Sequence, residues 1–205
     1  MFVYSLLSRH EGVSPQLYGA TLGQAHYKGL ISTIQGALAE SVVVVDFSGV
    51  EATTASYLKA TVIALLEAAM DSVNEPSRGG PATVSKDRVN VFPVVSNLSP
   101  EVAEELQTVL EARRLPYLEA LRISGTEVTQ ARLRGFIEAA PAETLERVVT
   151  ARSTSATQLA TLQSPPTATG WSNRLADLFR LRLVRRIKEG RNWLYSPVVS
   201  EVSFG

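Results

Sequence analysis

The sequence predicts an α/β protein, a sheet with packed helices over residues 1–130, followed by a small helical domain over residues 141–205. Three observations lead there. "VVVVDFSGV" (Val42–Val50) is a run of β-branched residues closed by turn formers, the mark of a strand buried on both faces. Strand-like runs alternate with segments of helical period through the first two thirds of the chain, and such alternation builds helices onto a sheet. From Pro141 onward the pattern changes to short helices and a basic hairpin.

Composition sets the outer limits. A chain of 205 residues suits one large domain or two small ones. Its 45% hydrophobic content excludes general disorder. With no cysteine there are no disulfides and no thiolate metal sites, which fits a reducing cytosol. The N-terminal "MFVYSLLSRHEG" lacks the basic region and small-residue cleavage site of a signal peptide. No apolar run reaches the roughly 18 residues that span a bilayer. The expectation is a cytoplasmic protein with no membrane contact.

Zero net charge conceals an imbalance. Residues up to Ala140 carry 11 basic and 15 acidic side chains; those from Pro141 carry 9 and 5. Halves of opposite sign suggest modules with different partners.

In chain order, "SPQLYGATLGQAHYKGLISTIQGALAES" places Leu17, Ala20, Leu22, Ala25, Leu30, Ile34 and Leu38 at near-helical spacing. It predicts a long helix with Ser14 as N-cap and Pro15 in its first position. His26 falls on that helix, partly exposed. After the valine strand, "TTASYLKATVIALLEAAMDSV" aligns Leu58, Val62, Leu65, Leu66 and Ala69 as a second helix. Asn74–Asp87 reads as an exposed Pro/Gly/Ser loop. "RVNVFPVVSNL" is a strand whose Pro93 argues for an edge position or a bulge. Ser99 caps the helix "PEVAEELQTVLEARRL", and "YLEALRIS" is a further short strand. The domain boundary falls between Ser124 and Pro141.

The C-terminal part reads "PAETLERVVTA" as a helix, "TSATQLATLQ" as a second, "SPPTAT" as a rigid turn and "TGWSNRLADLFRLRL" as a third helix. Trp171, Leu175 and Leu178, spaced by four and three, form the inward stripe of the third helix. "VRRIKEGRNWLYSPV" follows as a hairpin turning at Glu189-Gly190. Helix–helix–turn–helix–hairpin is the order of a winged helix-turn-helix.

Such a helix meets DNA bases with residues near its N-terminus. The candidates there are Thr167, Thr169, Ser172, Asn173 and Arg174, with Arg180 further along. Asn and Arg can contact bases through two bonds; Ser and Thr can contact phosphate. Around the hairpin, Arg185, Arg186, Lys188 and Arg191 would attract the phosphate backbone in a salt-dependent way. The same charges would equally serve as the solvated surface of an ordinary hairpin, or complement a helix dipole.

"PTATGWSNRLADLFRLRLVRR…EGRNWLYSPV" resembles the recognition helix and wing of prokaryotic winged-helix regulators over about the last fifty residues. Many of them have Gly before the Leu-Val pair; Arg182 stands there in this chain, which implies an ordinary helix end. "VVVVDFSGVEATTASYLKA" resembles the STAS-like domain family over roughly residues 10–110. The family's phosphorylatable Asp-Ser-Ser-Gly turn falls on Thr54, Ala55, Ser56 and Tyr57. The usual phospho-position carries Ala55, which speaks against kinase-driven switching. The resemblance marks Asp46, Thr54 and Ser56 as partner-binding candidates. Read from the residues alone, Asp46 is a cap for its own turn.

Catalysis finds few means. His10 and His26 are the two imidazoles, and neither a Gly-x-Ser-x-Gly elbow nor a phosphate-cradling Gly-x-x-x-x-Gly-Lys loop is present. The expectation is no enzyme, no metal and no cofactor. The leading functional expectation is a dimeric regulator binding double-stranded DNA through the winged helix, with the α/β part serving dimerisation or partner binding. Alternatives are an interaction module that docks an ATPase- or kinase-like protein, and a subunit of a larger assembly such as phage defence.

Overall fold

Strand β3 (Ser41–Asp46) explains the architecture. Val43 and Val45 enter one hydrophobic cluster, while Val42 and Val44 enter another, so successive side chains feed opposite faces of the sheet. The computed structural model describes residues 1–7, 15–35, 40–73, 89–163 and 165–204. Ahead of β3 come β1 (Phe2–Ser5), β2 (Gln16–Leu17) and α1 (Ala20–Ile34). After it come β4 (Ala52–Thr53), α2 (Ala55–Leu58), a π-helical turn (Lys59–Ile63) and α3 (Ala64–Asp71). Then follow β5 (Val91–Ser96), α4 (Pro100–Ala112), β6 (Pro116–Ser124) and β7 (Glu127–Gly135). The remainder is α5 (Ala139–Ala151), α6 (Ala156–Leu162), α7 (Ala168–Arg180), β8 (Val184–Glu189), β9 (Asn192–Pro197) and β10 (Glu201–Phe204).

The protein is mixed α/β with a mostly parallel central sheet, in the order β1-β3-β5-β6-β7-β10. β1, β3, β5 and β6 are mutually parallel, β7 runs back antiparallel to β6, and β10 joins β7 in parallel. The first four strands advance one position at a time. Right-handed crossovers therefore place α1, α2–α3 and α4 on one face. Leu30 and Ile31 of α1, Leu65 of α3 and Leu106 of α4 share the cluster of Val43 and Val45. The opposite face would stand bare. Leu145 and Val148 of α5, Leu159 of α6 and Trp171, Leu175 and Leu178 of α7 cover it, packing with Val42, Val44, Phe92 and Val94. The C-terminal helices are thus the third layer on the sheet, and the chain ends inside the sheet as β10.

Several local expectations change. Gln16 and Leu17 pair with Ala52 and Thr53 as a short parallel ladder, so α1 begins at Ala20 behind Gly19 instead of at Pro15. Ser14, the whole expected loop Asn74–Asp87 together with Arg88, Leu38 and His10 lie outside the described residues. Pro93 occupies a central strand, not an edge. Ser96 C=O accepts from Phe47 N–H on the β3 side, so by alternation residues 93 and 95 face β6. The β6 ladder begins only at Val95, and the missing Pro93 donor leaves no gap. Residues 127–135, within the expected boundary, form β7. Register shifts at Ala120/Arg122 and Arg122/Ile123 bend the β6–β7 arm, as bulges do. Its Val128 packs in the same cluster as Val42 and Val44.

His26 is buried, at 1% exposure, rather than partly exposed. α1 approaches α2 so closely that a Cβ on Gly23 would lie 2.7 Å from the Tyr57 carbonyl oxygen. This approach seats His26 Nδ1 2.7 Å from the Tyr57 hydroxyl.

Candidate functional site

α7 is set by three local features. Thr167 is its N-cap, its hydroxyl accepting from Gly170 N–H at 3.3 Å. Trp171, Leu175, Leu178 and Phe179 are buried, and Trp171 Nε1 donates to the Gln163 carbonyl at 3.3 Å. The helix ends in a Schellman closure: Arg182 N–H donates to Phe179 C=O and Leu183 N–H to Leu178 C=O. Arg182 itself takes the left-handed position with φ 60°.

The opposite side of α7 faces solvent. Thr167, Thr169, Ser172 and Asn173 are exposed together at its N-terminal end, with Ala176, Asp177 and Arg180 beyond them. Arg174 is drawn aside: its guanidinium lies 5.2 Å from the Trp171 ring and 3.9 Å from Glu143, which also pairs with Arg147 at 2.9 Å. Arg180 pairs with Asp177 one turn earlier at 3.3 Å.

The β8–β9 hairpin pairs Glu189 with Asn192, so Gly190 and Arg191 are the two turn residues. Gly190 has φ 58° and Arg191 does not, the pattern of a type II′ turn. Strand alternation then separates the hairpin's charges. Arg186 lies between two rings, 4.2 Å from that of Phe179 and 4.4 Å from that of Trp193. Arg185 points the other way, onto the Phe92 ring at 4.8 Å, and donates to the Glu40 carbonyl at 2.7 Å. Burial holds the Arg185 guanidinium below its usual range, against the opposing pull of Glu40 and Glu127. Lys188 and Arg191 are exposed at the tip. A further bridge ties the hairpin to the helices: Tyr195 exchanges both backbone hydrogen bonds with Thr154, between α5 and α6.

The ordinary helix end expected at Arg182 does not form: the residue is left-handed, as the Schellman closure requires, and sequence reasoning gave its side chain no role. It is 2% exposed and donates to Ala69 C=O at 2.7 Å, to Asn90 Oδ1 at 2.9 Å and to Ser72 Oγ. The Phe92 and Phe179 rings flank it, each 5.5 Å away. Burial lowers its pKa to about 10. The signal was present in the glycine that stands at this position in the regulators the segment resembles. A site for Gly after a helix is a site for positive φ.

Asp46, Thr54 and Ser56 sit at the C-terminal edge of the parallel strands, in two groups. Asp46 Oδ1 accepts from Asn97 Nδ2 at 2.7 Å, Ser48 Oγ at 2.8 Å, Ser48 N–H at 3.1 Å and Ser96 Oγ at 3.3 Å. Partial burial pulls its pKa up, but these bonds outweigh it and hold the carboxyl below its ordinary value. Thr54 caps α2, accepts from Gly19 N–H at 3.1 Å and lies 3.1 Å from Ser56 Oγ. Both groups are satisfied within the protein, Asp46 by its own turn and by Ser96 and Asn97 after β5, Thr54 by α2 and by Gly19.

A cleft of about 570 Å³ opens where β3 begins, lined by Glu40, Ser41, the arm tip at Glu127, Arg152, Arg185 and Ser196–Ser200. Both of its arginines already bond main-chain carbonyls, Arg185 that of Glu40 and Arg152 that of Ser200. Among the described residues no group of three or more His, Cys, Asp or Glu is placed to hold a metal ion, and no helix is long and apolar enough to cross a membrane. Compared with models of protein families, with curated proteins and with solved structures, the chain shows no match.

Proposed function

We propose that this chain is a DNA-binding regulator or DNA-associated accessory protein, without catalytic activity. In this reading α5–α7 with β8–β9 form a winged helix that meets double-stranded DNA, and the STAS-like α/β part provides dimerisation or partner binding. The observation that carries the reading is the shared exposure of Thr169, Ser172 and Asn173 on α7 and of Lys188 and Arg191 at the hairpin tip. The Thr154–Tyr195 bridge adds the third strand segment that fixes a wing to its helices. Of the basic residues singled out in the sequence, Lys188 and Arg191 take the phosphate-facing role. Arg174 and Arg185 support the helix and the hairpin from within.

Fluorescence anisotropy with a random-sequence duplex tests the reading. Binding at low salt that weakens linearly with log salt concentration is expected. Lys188→Glu with Arg191→Glu should abolish it. A folded protein that binds no duplex at low salt refutes it.

The alternative, protein–protein interaction without DNA, has one observation in its favour. Leu162 at the end of α6 is 78% exposed beside an apolar groove of about 500 Å³ between α5 and α6. Its rim holds Glu143, Glu146 and Arg147, charges of both signs that suit a second copy of the chain. A dimer in light scattering that Leu162→Asp converts to monomer, with no duplex binding by either form, is the outcome that favours this alternative.

A further inference from the structure

The exposed face of α7 has an uneven chemistry. Thr169, Asn173 and Ala176 follow one another at spacings of four and three, so they share a stripe. At about 1.5 Å per residue the stripe is about 10 Å long, the length of about three base steps. Guanine presents two acceptors in the major groove and is read by the paired donors of Arg or Lys. The cation nearest this stripe, Arg174, lies against Trp171 and Glu143. The next, Arg180, is paired with Asp177 at the far end of the helix. Asn173 is the side chain on the stripe that offers a donor and an acceptor side by side. That pair matches N6–H and N7 of adenine. Ala176, exposed one turn on, offers the apolar contact that a thymine methyl takes.

Resting on the DNA-binding reading above, we propose that Asn173 is the specificity-determining residue of α7 and that it reads an adenine in an A·T-containing half-site through the major groove. Asn173 has no cation beside it on the stripe, whose next member, Arg180, stands seven residues on and pairs with Asp177, so guanine is disfavoured at the position Asn173 reads. Affinity that does not depend on sequence comes from the hairpin tip.

The test is selection of bound sequences from a random duplex library, with the full chain and with Asn173→Ala. The exposed position makes the variant neutral for folding, which its thermal midpoint checks. The full chain should enrich adenine at one position of each half-site. Asn173→Ala should lose that preference by about ten-fold, while the salt slope of its residual duplex binding stays that of the full chain, because the phosphate contacts lie at the hairpin tip. Replacing the selected adenine by 7-deazaadenine, which lacks the N7 acceptor, should weaken the full chain similarly and leave Asn173→Ala unaffected. Enrichment of guanine at that position, or a preference unchanged in Asn173→Ala, overturns the proposal while leaving DNA binding intact. Failure of the full chain to bind any duplex at low salt overturns both.

Discussion

The guanidinium of Arg182 donates through Nε to the carbonyl of Ala69 across 2.7 Å, joining the end of α7 to α3 over a separation of 113 residues. The same group reaches Ser72 and Asn90, so a single side chain ties the third layer to the elements on the far side of β5. Arg182→Met keeps the apolar stem between the two phenylalanine rings and removes all three donors. It should cost roughly 2–3 kcal/mol in urea unfolding, because buried acceptors lose their partners. Arg182→Gly removes the left-handed strain as well, yet should also destabilise. A Gly variant as stable as the parent would show that conformation, not hydrogen bonding, decides this position.

Gly23 is the second point of close contact. A methyl group there would lie 2.7 Å from the Tyr57 carbonyl oxygen and 2.8 Å from Ala60 Cβ. Alanine has the higher intrinsic helix propensity, by about 1 kcal/mol. Steric displacement of α1 from α2 should exceed that gain, and Gly23→Ala should destabilise by roughly 1–3 kcal/mol. The His26–Tyr57 hydrogen bond should loosen with it, visible as a shifted His26 ring signal in NMR. Unchanged stability would count against the helix contact.

The two faces of the hairpin should separate in mutagenesis. Arg185→Ala removes a donor to Glu40 and a stacking partner of Phe92, so its effect belongs to stability, about 1–2 kcal/mol. Lys188→Ala with Arg191→Ala should leave stability unchanged and reduce the salt slope of duplex binding by about 2. The reverse assignment of effects would place the phosphate contacts on the sheet side of β8.

Asp46 gives a pH dependence. Its carboxyl is held below its ordinary value of 3.8, so the unfolded chain takes up the proton first as the medium is acidified. The stability this carboxylate contributes is full above that ordinary value and is lost as pH falls through the lower value of the folded state. Urea unfolding of the parent and of Asp46→Asn should therefore differ at pH 7 and converge toward pH 2–3, as roughly expected for a carboxylate linked in this way. A difference that grows on acidification would contradict the hydrogen-bonded arrangement with Asn97, Ser48 and Ser96.

Much of the local structure was legible in residue patterns. Four valines in a row announced β3 and its burial on both faces. Trp171, Leu175 and Leu178 at spacings of four and three marked the inner side of α7. Ser99 capped α4 as its neighbours implied, accepting from Val102 N–H. Other features had no local signature. Pro93 looks like an edge residue until β6 is seen to pair only from Val95 onward. His26 looks exposed until α1 meets α2 through a glycine. Arg182 and Arg185 look like neighbours of Lys188 and Arg191, yet they turn inward.

The sequence by itself determined the valine strand and the main helices and which sides of them are apolar, because these follow from spacing within a few residues of the chain, whereas β1, β2, β7 and β10 carried no such pattern. Tertiary structure alone decided that α5–α7 cover the bare face of the sheet, that β10 returns beside β7, and which arginines remain in solvent. Those outcomes depend on pairings between residues about a hundred positions apart, Arg182 with Ala69 among them, and no local periodicity records them. The burial of a cation is settled by the acceptors it meets, and those are supplied by the rest of the fold.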